Sequence, residues 1–565
     1  MKEEGGREKE KEKRRRKIQR RMERDVFELE GNIVDVVAGR VFPGKVTIAG
    51  GRIREFSEQD VDSGRYILPG LIDAHIHVES SMLIPSEFAR LAVVHGTIGS
   101  VSDPHEIANV LGIPGVLFMI SNGNKTPFKF CFGAPSCVPA TSFETAGSAL
   151  GVEEIRDLLA RKEIRYLSEM MNFPGVLASD PEILAKLSAA GKAKKPVDGH
   201  APGLRGEEVR RYAEAGITTD HECFTREEAL DKLHYGMKIL IREGSAAKNF
   251  EALCGLIPEF PGMVMLCSDD KHPDDLARGH INDLVRRSLG KGYDLVQTLR
   301  TCTVNPVKHY GLDIGLLQQN DPADLIIVDS LDSFAVRETY INGRKVAENG
   351  RSLLQTVSEE PANNFKTGLV SASQLKIAAG AGKVRVMVAL DGQLITREEV
   401  EAPLLAGDFV VADPGRDLLK IVVKCRYRES KPAVGFVKGF GLKRGAIASC
   451  VAHDSHNLVA VGTDDDSLAC ALNLIIREGG GISRVDGTEE EILPLPFAGI
   501  MSGQDGYQVA RAYEGMTNRV RSMGSRLQAP YMTLSFMALL VIPELKLSDR
   551  GLFDGRKFAF TPLLF

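Results

Sequence analysis

The chain has 565 residues, which exceeds one ordinary hydrophobic core, so two or three domains are expected. An apolar fraction of 43% and a charged fraction of 26% are typical of a water-soluble globular protein, and the net charge of −5 argues against a dedicated nucleic-acid binder. The nine cysteines include no C-x-x-C pair and indicate reduced thiols in a cytoplasm rather than a disulfide framework. No apolar run approaches the roughly 20 residues that cross a bilayer, so no membrane partner is expected.

Residues 1–29 are predicted to form a charged leader. Residues 1–24 carry 12 Lys or Arg and 6 Glu and contain no apolar stretch, which excludes a secretory signal. This composition favours a solvated, partly helical extension, and binding of an anionic partner is the alternative.

Short strand patterns separated by glycines occupy residues 30–67. The patterns are Asn32–Val37, Lys45–Ala49 and Arg52–Phe56, with Gly50-Gly51 as a turn. They are too few to complete a domain. Residues 321–360 contain similar patterns, Leu325–Val328 and Glu338–Arg344, with an Asn-Gly turn. The two segments are therefore predicted to form one composite β-domain, into which the intervening chain is inserted.

Residues 68–320 alternate between strand and helix patterns, which predicts a (β/α)₈ barrel. The candidate strands are Gly70–His77, Thr97–Asp103, Phe128–Cys137, Ile164–Met171, Pro196–His200, Ile217–His221, Lys238–Arg242 and Met263–Asp269. The clearest helices are Arg205–Ala215, which Gly216 ends, and Phe224–Tyr235, which Thr225 and Glu228 begin as a capping box. The active site of such a barrel lies at the carboxyl ends of its strands.

A third unit is predicted over residues 365–565, after a linker at Pro361–Asn364. Strand patterns at Val384–Leu390 and Leu419–Cys425 alternate with glycine-rich turns. The predicted fold class is therefore α/β, with a barrel inserted in a small composite β-domain and an α+β domain at the C-terminus.

Metal-binding residue types occur at the ends of five predicted barrel strands. His75 and His77 are two residues apart on the first strand and so point to the same face. A lone His-x-His is more often a pair of ordinary core histidines, but four further candidates share this rim: Glu169, His200, His221 and Asp269. Burying unpaired charges is costly, and a pair of metal ions would offset that cost. Imidazoles and carboxylates suit Zn, Mn, Fe and Co.

Longer local strings show a resemblance to a known family. They are HVESSM at 77–82, SDPHEIANVLG at 102–112, EMMNFPGV at 169–176, DGHAPG at 198–203, REGSAAKN at 242–249 and HDSHN at 453–457. With the ligand pattern, these strings resemble the adenine deaminase family of the amidohydrolase superfamily. The resemblance covers nearly everything after residue 30.

The resemblance implies a metal-dependent hydrolase with a binuclear centre. His75 and His77 would hold one ion, and His200 and His221 would hold the other. Glu169 would bridge the two ions, where many relatives use a carbamylated lysine, and Asp269 would join the first ion. The family is associated with Mn or Fe, and the donor set would equally accept Zn.

The resemblance also implies hydrolytic deamination of adenine to hypoxanthine and ammonia, within purine salvage. A metal-activated hydroxide would attack C6, and Asp269 would carry the proton from the water to the leaving ammonia. Glu79 or Glu222 would protonate N1, and the alternative role for both is to orient a histidine ligand.

Further residues near the strand ends are candidate substrate contacts, namely His105, Arg242 and Ser245, and a structural role is the alternative for Arg242 and Ser245. His105 and Glu106 either line the pocket or begin the next helix. His453 and His456 stand among turn-forming residues and are predicted to lie in a structured loop that touches the active site or a neighbouring subunit.

The expected partner is a small purine base, and a homo-oligomer is expected. Two alternative functions are another cyclic amidine or amide hydrolase of the superfamily and a catalytically silent assembly module. All six ligand positions are filled, which disfavours the silent module.

Overall fold

The computed structural model describes residues 26–380 and 382–565. Most of the predicted leader, residues 1–25, lies outside this described part. Its last residues do not belong to a leader, because strand β1 begins at Val26, four residues before the predicted boundary. Among the described residues, no helix has both the length and the apolar character needed to cross a bilayer.

The chain opens with four strands of a mixed β-sheet. They are β1 (Val26–Asp35), β2 (Arg40–Ala49), β3 (Arg52–Glu58) and β4 (Tyr66–Pro69). Alternate residues of β2 face the interior, where Val46 and Ile48 are fully buried, as expected of a sheet with one solvated face. Gly50 and Gly51 form the predicted turn, with φ of 60° and 77°.

Eight parallel strands then form the barrel. They are β5 (Leu71–Ile76), β6 (Thr97–Ser102), β7 (Lys129–Ala134), β8 (Ile164–Met170), β9 (Val197–Gly199), β10 (Thr219–Asp220), β11 (Lys238–Arg242) and β12 (Val264–Cys267). Strands β5 to β9 form one hydrogen-bonded sheet and β10 to β12 form another. Each of the eight overlaps its predicted segment, so the barrel prediction is confirmed.

Two sets of backbone hydrogen bonds close the barrel between these sheets. Thr218 N donates to Val197 O at 2.9 Å and joins β9 to the start of β10. Asp269 N donates to His75 O at 2.9 Å, and His77 N donates to Asp269 O at 3.3 Å, which joins the end of β12 to the end of β5. The second set of hydrogen bonds therefore joins three of the predicted metal ligands, His75, His77 and Asp269.

Fourteen helices occur within the barrel segment. They are α1 (Pro85–Ala92), α2 (His105–Leu111), α3 (Ile113–Gly123), α4 (Val152–Leu159), α5 (Phe173–Leu177), α6 (Pro181–Ala193), α7 (Gly206–Glu214), α8 (Arg226–His234), α9 (Phe250–Leu253), α10 (Leu256–Glu259), α11 (Pro273–Arg278), α12 (Ile281–Gly290), α13 (Leu295–Thr301) and α14 (Val304–Tyr310). Thr225 caps α8 by accepting from Glu228 N at 3.3 Å. The Glu228 carboxylate accepts from Phe224 N and Gly203 N, so the predicted capping box lacks its reciprocal bond.

The chain then returns to the first sheet and completes it. The returning strands are β13 (Leu325–Val328), β14 (Val336–Ile341), β15 (Arg344–Glu348) and β16 (Arg351–Ser352), and the order of the sheet is β16-β15-β14-β13-β4-β1-β2-β3. Strand β4 pairs with β13, so Leu68 and Pro69 belong to this sheet rather than to the barrel, where the sequence places them. Asn342 and Gly343 have φ of 50° and 70°, as the predicted Asn-Gly turn requires.

The C-terminal domain is rich in β-structure. Its strands are β17 (Ile377–Ala378), β18 (Val384–Ala389), β19 (Thr396–Glu401), β20 (Leu404–Ala406), β21 (Phe409–Val411), β22 (Leu419–Lys424), β23 (Ala433–Lys438), β24 (Ala446–Ser449), β25 (Leu458–Gly462), β26 (Gly481–Asp486), β27 (Glu489–Pro494), β28 (Leu545–Ser548), β29 (Gly551–Asp554) and β30 (Ala559–Phe560). Its helices are α15 (Asp465–Glu478), α16 (Gly506–Ser522) and α17 (Pro530–Phe536). The main sheet has eight strands in the order β19-β18-β23-β22-β25-β24-β26-β27.

The C-terminal domain packs directly on the barrel. One continuous cluster of buried apolar side chains includes Phe88 and Leu91 of α1 as well as Phe497 and Val509. The Glu87 carboxylate accepts a hydrogen bond from Gly506 N at 3.1 Å at the start of α16. This packing brings residues from the C-terminal half of the chain to the mouth of the barrel.

Candidate active site

Two histidines at the end of β5 face the barrel mouth. The ring centroids of His75 and His77 are 5.0 Å apart, and both side chains are buried. The backbone hydrogen bonds between both histidines and Asp269 hold them at the point where β12 meets β5. This local geometry explains why an apolar run that ends in His-x-His directs both imidazoles to one place.

Glu169, at the end of β8, lies between these histidines and a second pair. Its Oε1 is 3.2 Å from His77 Nε2. Its Oε2 is 2.7 Å from His200 Nδ1 and 3.2 Å from His221 Nε2. One carboxylate oxygen therefore faces His77 and the other faces His200 and His221, which is the arrangement of a bridging ligand.

Asp269 completes the cluster from the end of β12. Its Oδ1 lies 3.5 Å from His75 Nε2 and 3.3 Å from His77 Nε2. Its backbone has a φ of 56°, a left-handed conformation that Asp tolerates better than most residues and that often marks a functional position. The structure thus brings together all six predicted metal ligands.

The chemistry of this donor set fits divalent metal ions. Within the described residues, neither ring nitrogen of His75 makes a hydrogen bond, and His200 Nε2 also lacks a partner although it is buried. Glu169, His200 and His221 place one ligand atom each within 4.8 Å of one another, and so do His75, His221 and Asp269. Buried polar atoms without partners are costly, and metal coordination would satisfy them.

Both carboxylates of the cluster are ionised. Burial opposes the charge on Glu169, but His200 and the other facing imidazoles outweigh it and hold its pKa well below the ordinary value. Burial likewise opposes the charge on Asp269, and the guanidinium of Arg242 outweighs it, so the pKa of Asp269 is also well below normal. Anionic oxygen ligands are therefore available to a cation.

Arg242, a predicted substrate contact, is buried and engaged by two carboxylates. Its Nη1 donates to Asp269 Oδ2 at 2.8 Å, and its Nη2 donates to Glu222 Oε2 at 3.0 Å. Nη1 also donates to Glu222 Oε1. Burial opposes the charge on Glu222, but the Arg242 cation dominates and lowers the pKa of Glu222. Arg242 therefore orients Asp269 and Glu222.

Of the remaining predicted site residues, His105 lines the cavity, whereas Glu79 and Ser245 lie outside it. His105 lines the mouth, where its Nδ1 lies 3.3 Å from Glu169 Oε1. Glu79 is buried outside the lining of the cavity, where its Oε1 accepts from Ile107 N at 3.2 Å and burial raises its pKa to about 7. Ser245 also lies outside this cavity, and its hydroxyl accepts from His272 N at 2.9 Å.

The cavity above the cluster lies between the barrel and the C-terminal domain. It is a narrow cleft, partly open to solvent, with a free volume of about 30 Å³. The barrel residues of its lining form the floor of the cavity. The C-terminal domain forms the roof, which consists of His453, Asp454, Leu394, Leu539 and Val541.

Sequence reasoning missed several of these residues. Asp103 lies 3.1 Å from His105 Nδ1, and Asp270 accepts from Ser80 Oγ at 2.6 Å. Asp103, in the string SDPHE, is the last residue of a predicted strand, and that position was the available signal. Asp454 carried no signal because a lone Asp in a loop usually forms a turn. The loop of His453 and His456 is predicted to touch either the active site or a neighbouring subunit. His453 and Asp454 line the cavity, which supports the first alternative.

The fold and the donor cluster together define a metal-dependent hydrolase of the amidohydrolase class, and residues 66–346 match the Amidohydrolase family model. Residues 393–559 match the model of the adenine deaminase C-terminal domain. The chain is 56% identical over 535 residues to an adenine deaminase of Sulfurovum sp. (strain NBC37-1), with 94% of this chain and 99% of that protein covered. It is 55% identical to an adenine deaminase of Salinibacter ruber, with 95% and 98% covered. The chain therefore belongs to the adenine deaminase family.

Among solved structures the likeness is lower. A beta-aspartyl dipeptidase from Fervidobacterium islandicum AW-1 has 17% sequence identity and a TM-score of 0.45, with 59% of this chain and 100% of that chain covered.

Proposed function

We propose that this protein hydrolyses adenine to hypoxanthine and ammonia. The observation that supports this activity best is the position of Glu169 between two pairs of histidines, under a roof formed by an adenine deaminase C-terminal domain. The reaction consumes one water for each adenine, because the oxygen of the water replaces the exocyclic nitrogen at C6.

The cluster would hold two divalent ions. His75, His77 and Asp269 would bind one, His200 and His221 would bind the other, and Glu169 would contact both. Bound metal would supply Lewis acidity, which lowers the pKa of water toward neutrality. We propose Mn or Fe as the physiological metal, and the nitrogen and oxygen donors would also accept Zn.

Asp269 is the residue placed to move protons at the reacting carbon. It lines the cavity beside the histidine ligands, and we propose that it accepts the proton of the attacking water and returns it to the leaving amine. Its Oδ2 is held by Arg242 at 2.8 Å, which keeps Oδ1 directed to the histidines. The geometry thus supports a single shuttle between water and ammonia.

Glu222 and Glu79 were the predicted donors of a proton to N1. Glu222 lines the cavity, but its bidentate pairing with Arg242 keeps it ionised. It lies 3.4 Å from His221 Nε2 and 3.6 Å from His200 Nδ1. The pairing with Arg242 disfavours proton donation by Glu222, whose Oε1 lies beside the same histidine nitrogens that face Glu169.

Substrate screening tests the proposed activity. The protein is stripped with a chelator, reloaded with Mn²⁺, and assayed for ammonia release from adenine, adenosine, cytosine and guanine. We expect release from adenine and little from the other three. Release from another ring without turnover of adenine would favour a different cyclic amidine hydrolase, and no release from any ring would favour the silent module.

The cellular setting is proposed to be purine salvage in the cytoplasm. All nine cysteines are free and eight are buried, which supports a reducing compartment. We also propose a homo-oligomer, and the exposed apolar side chains of Leu404, Leu405 and Phe409 support it.

A further inference from the structure

One loop of the C-terminal domain forms several polar contacts with a buried carboxylate of the barrel. Glu106, in the first turn of α2, accepts a hydrogen bond from Asp454 N at 3.1 Å. In the same loop, His453 Nδ1 pairs with Oε1 and His456 Nε2 lies 2.6 Å from Oε2, while His105 Nε2 of the barrel lies 3.6 Å from Oε1. The three closest partners come from residues 453–456, so Glu106 holds this loop over the barrel mouth.

The ring of His453 is held in one orientation within the cavity lining. It stacks on Phe536 with a centroid distance of 5.3 Å and an interplanar angle of 29°. Since Glu106 is a carboxylate and can only accept, His453 Nδ1 carries the proton of that hydrogen bond. Within the described residues, His453 Nε2 has no hydrogen-bond partner.

The polar groups of the barrel floor either belong to the metal cluster or have a protein partner, as His105 has Asp103 and Asp270 has Ser80. Glu169, Asp269 and their four histidines form the metal cluster, and Glu222 is paired with Arg242. The roof differs, because beside its apolar side chains it has two polar atoms that can still form a hydrogen bond with a ligand. These are His453 Nε2 and Asp454 Oδ2, and the latter has no hydrogen-bond partner in the described residues. A mostly apolar pocket with a few convergent polar groups is typical of a small-molecule site.

We propose that His453 is a substrate-binding residue, supplied by the C-terminal domain, that contacts the purine ring through Nε2. This inference rests on the proposed function and assigns the recognition of the base to the roof. Because His453 and Asp454 line the same narrow cavity as the metal ligands of the barrel, a base bound above the cluster would lie against both domains. The apolar roof residues would cover the face of the ring, and Asp454 would accept from a ring N–H.

The test compares His453→Phe with the wild-type chain, both loaded with Mn²⁺. The phenyl ring keeps the stacking on Phe536 and removes both ring nitrogens. We expect KM for adenine and Kd for hypoxanthine, measured by calorimetry, to rise about tenfold, which is the loss of one hydrogen bond in a desolvated site. Metal content and kcat should change far less than KM.

Two matched variants separate direct contact from indirect effects. His456→Gln removes the other imidazole from Glu106 but lies outside the cavity lining, so its KM should rise at most about threefold. Tyr513→Phe removes a 2.5 Å hydrogen bond to His272 elsewhere between the two domains and should match wild type. Equal effects of His453→Phe and His456→Gln would overturn the proposal and assign both residues to positioning Glu106.

Other outcomes are equally decisive. A KM and Kd within twofold of wild type for His453→Phe would overturn the inference. If this variant loses metal, His453→Gln is measured in the same way, and loss of metal there too would overturn it. Hypoxanthine binding does not depend on turnover, so a wild-type chain that binds the base without deaminating adenine would contradict the proposed function alone.

Discussion

Glu169 illustrates how much of the site depends on single side chains. Its two oxygens face different histidine pairs, at 3.2 Å from His77 and 2.7 Å from His200. No other carboxylate of the cluster faces His77 and His200 together in the described residues. A change that keeps its shape and removes its charge should therefore separate metal binding from folding.

We expect Glu169→Gln to bind fewer than two ions per chain and to lose at least about a thousandfold in kcat, because an amide is a weak ligand for either ion. Metal analysis and ammonia release measure both quantities. Tyr166→Phe on the same strand is the control, since the Tyr166 hydroxyl is buried and has no hydrogen-bond partner in the described residues. Full metal content in Glu169→Gln would contradict a bridging role.

The residues of the metal cluster could be predicted because each lies at the end of a buried strand or within two residues of it. Carboxyl ends of parallel strands converge, so His75, His200 and Asp269 meet although they are far apart in the sequence. His453 and Asp454 reach the same cavity from another domain. Domain packing sets that contact, and no local pattern encodes it.

At the scale of elements, the eight barrel strands match their predicted segments, and most differences occur at the ends. The fifth segment, predicted as Pro196–His200, is observed as Val197–Gly199, and the sixth, Ile217–His221, as Thr219–Asp220. In both, the terminal histidine lies one residue beyond the observed strand, and its side chain contacts Glu169 at the barrel mouth.

Strand β28 contains a lysine that couples stability to pH. Lys546 is fully buried and donates to two carbonyls, Leu394 O at 2.7 Å and Phe536 O at 2.9 Å. It has no carboxylate partner among the described residues, and burial lowers its pKa from 10.5 to about 7. Between these values the unfolded chain holds a proton that the folded chain lacks, so stability rises with pH across this interval.

We expect the wild type to gain about 1.4 kcal/mol per pH unit relative to Lys546→Met between pH 7.5 and 9. Urea unfolding at both pH values measures the difference. Lys420→Met is the control, because Lys420 is equally buried but pairs with Asp465 Oδ1 at 2.6 Å. This control should keep the pH trend of the wild type, and a parallel trend in Lys546→Met would show that Lys546 is not its source.

At the scale of the whole molecule, the barrel is held between two β-rich units. The first and last parts of its flanking sheet are joined by the pairing of β4 with β13. The C-terminal domain closes the other end, where the cluster lies. The predicted fold class is confirmed, but the sequence contained no signal for the contact surface of the two domains, since apolar side chains there resemble those of any core.

Because both domains line one cavity, metal binding should stabilise them together. The shared apolar cluster and the bond from Gly506 N to Glu87 link α16 to α1, so we expect one calorimetric transition for the barrel and the C-terminal domain. Free Mn²⁺ at about a thousand times its Kd adds roughly 4 kcal/mol to the free energy of unfolding, which raises Tm by several degrees. Glu169→Gln, which is expected to bind fewer ions, should shift less with Mn²⁺ than the wild type. Two transitions in the wild type, of which only one moves with metal, would show that the domains unfold independently.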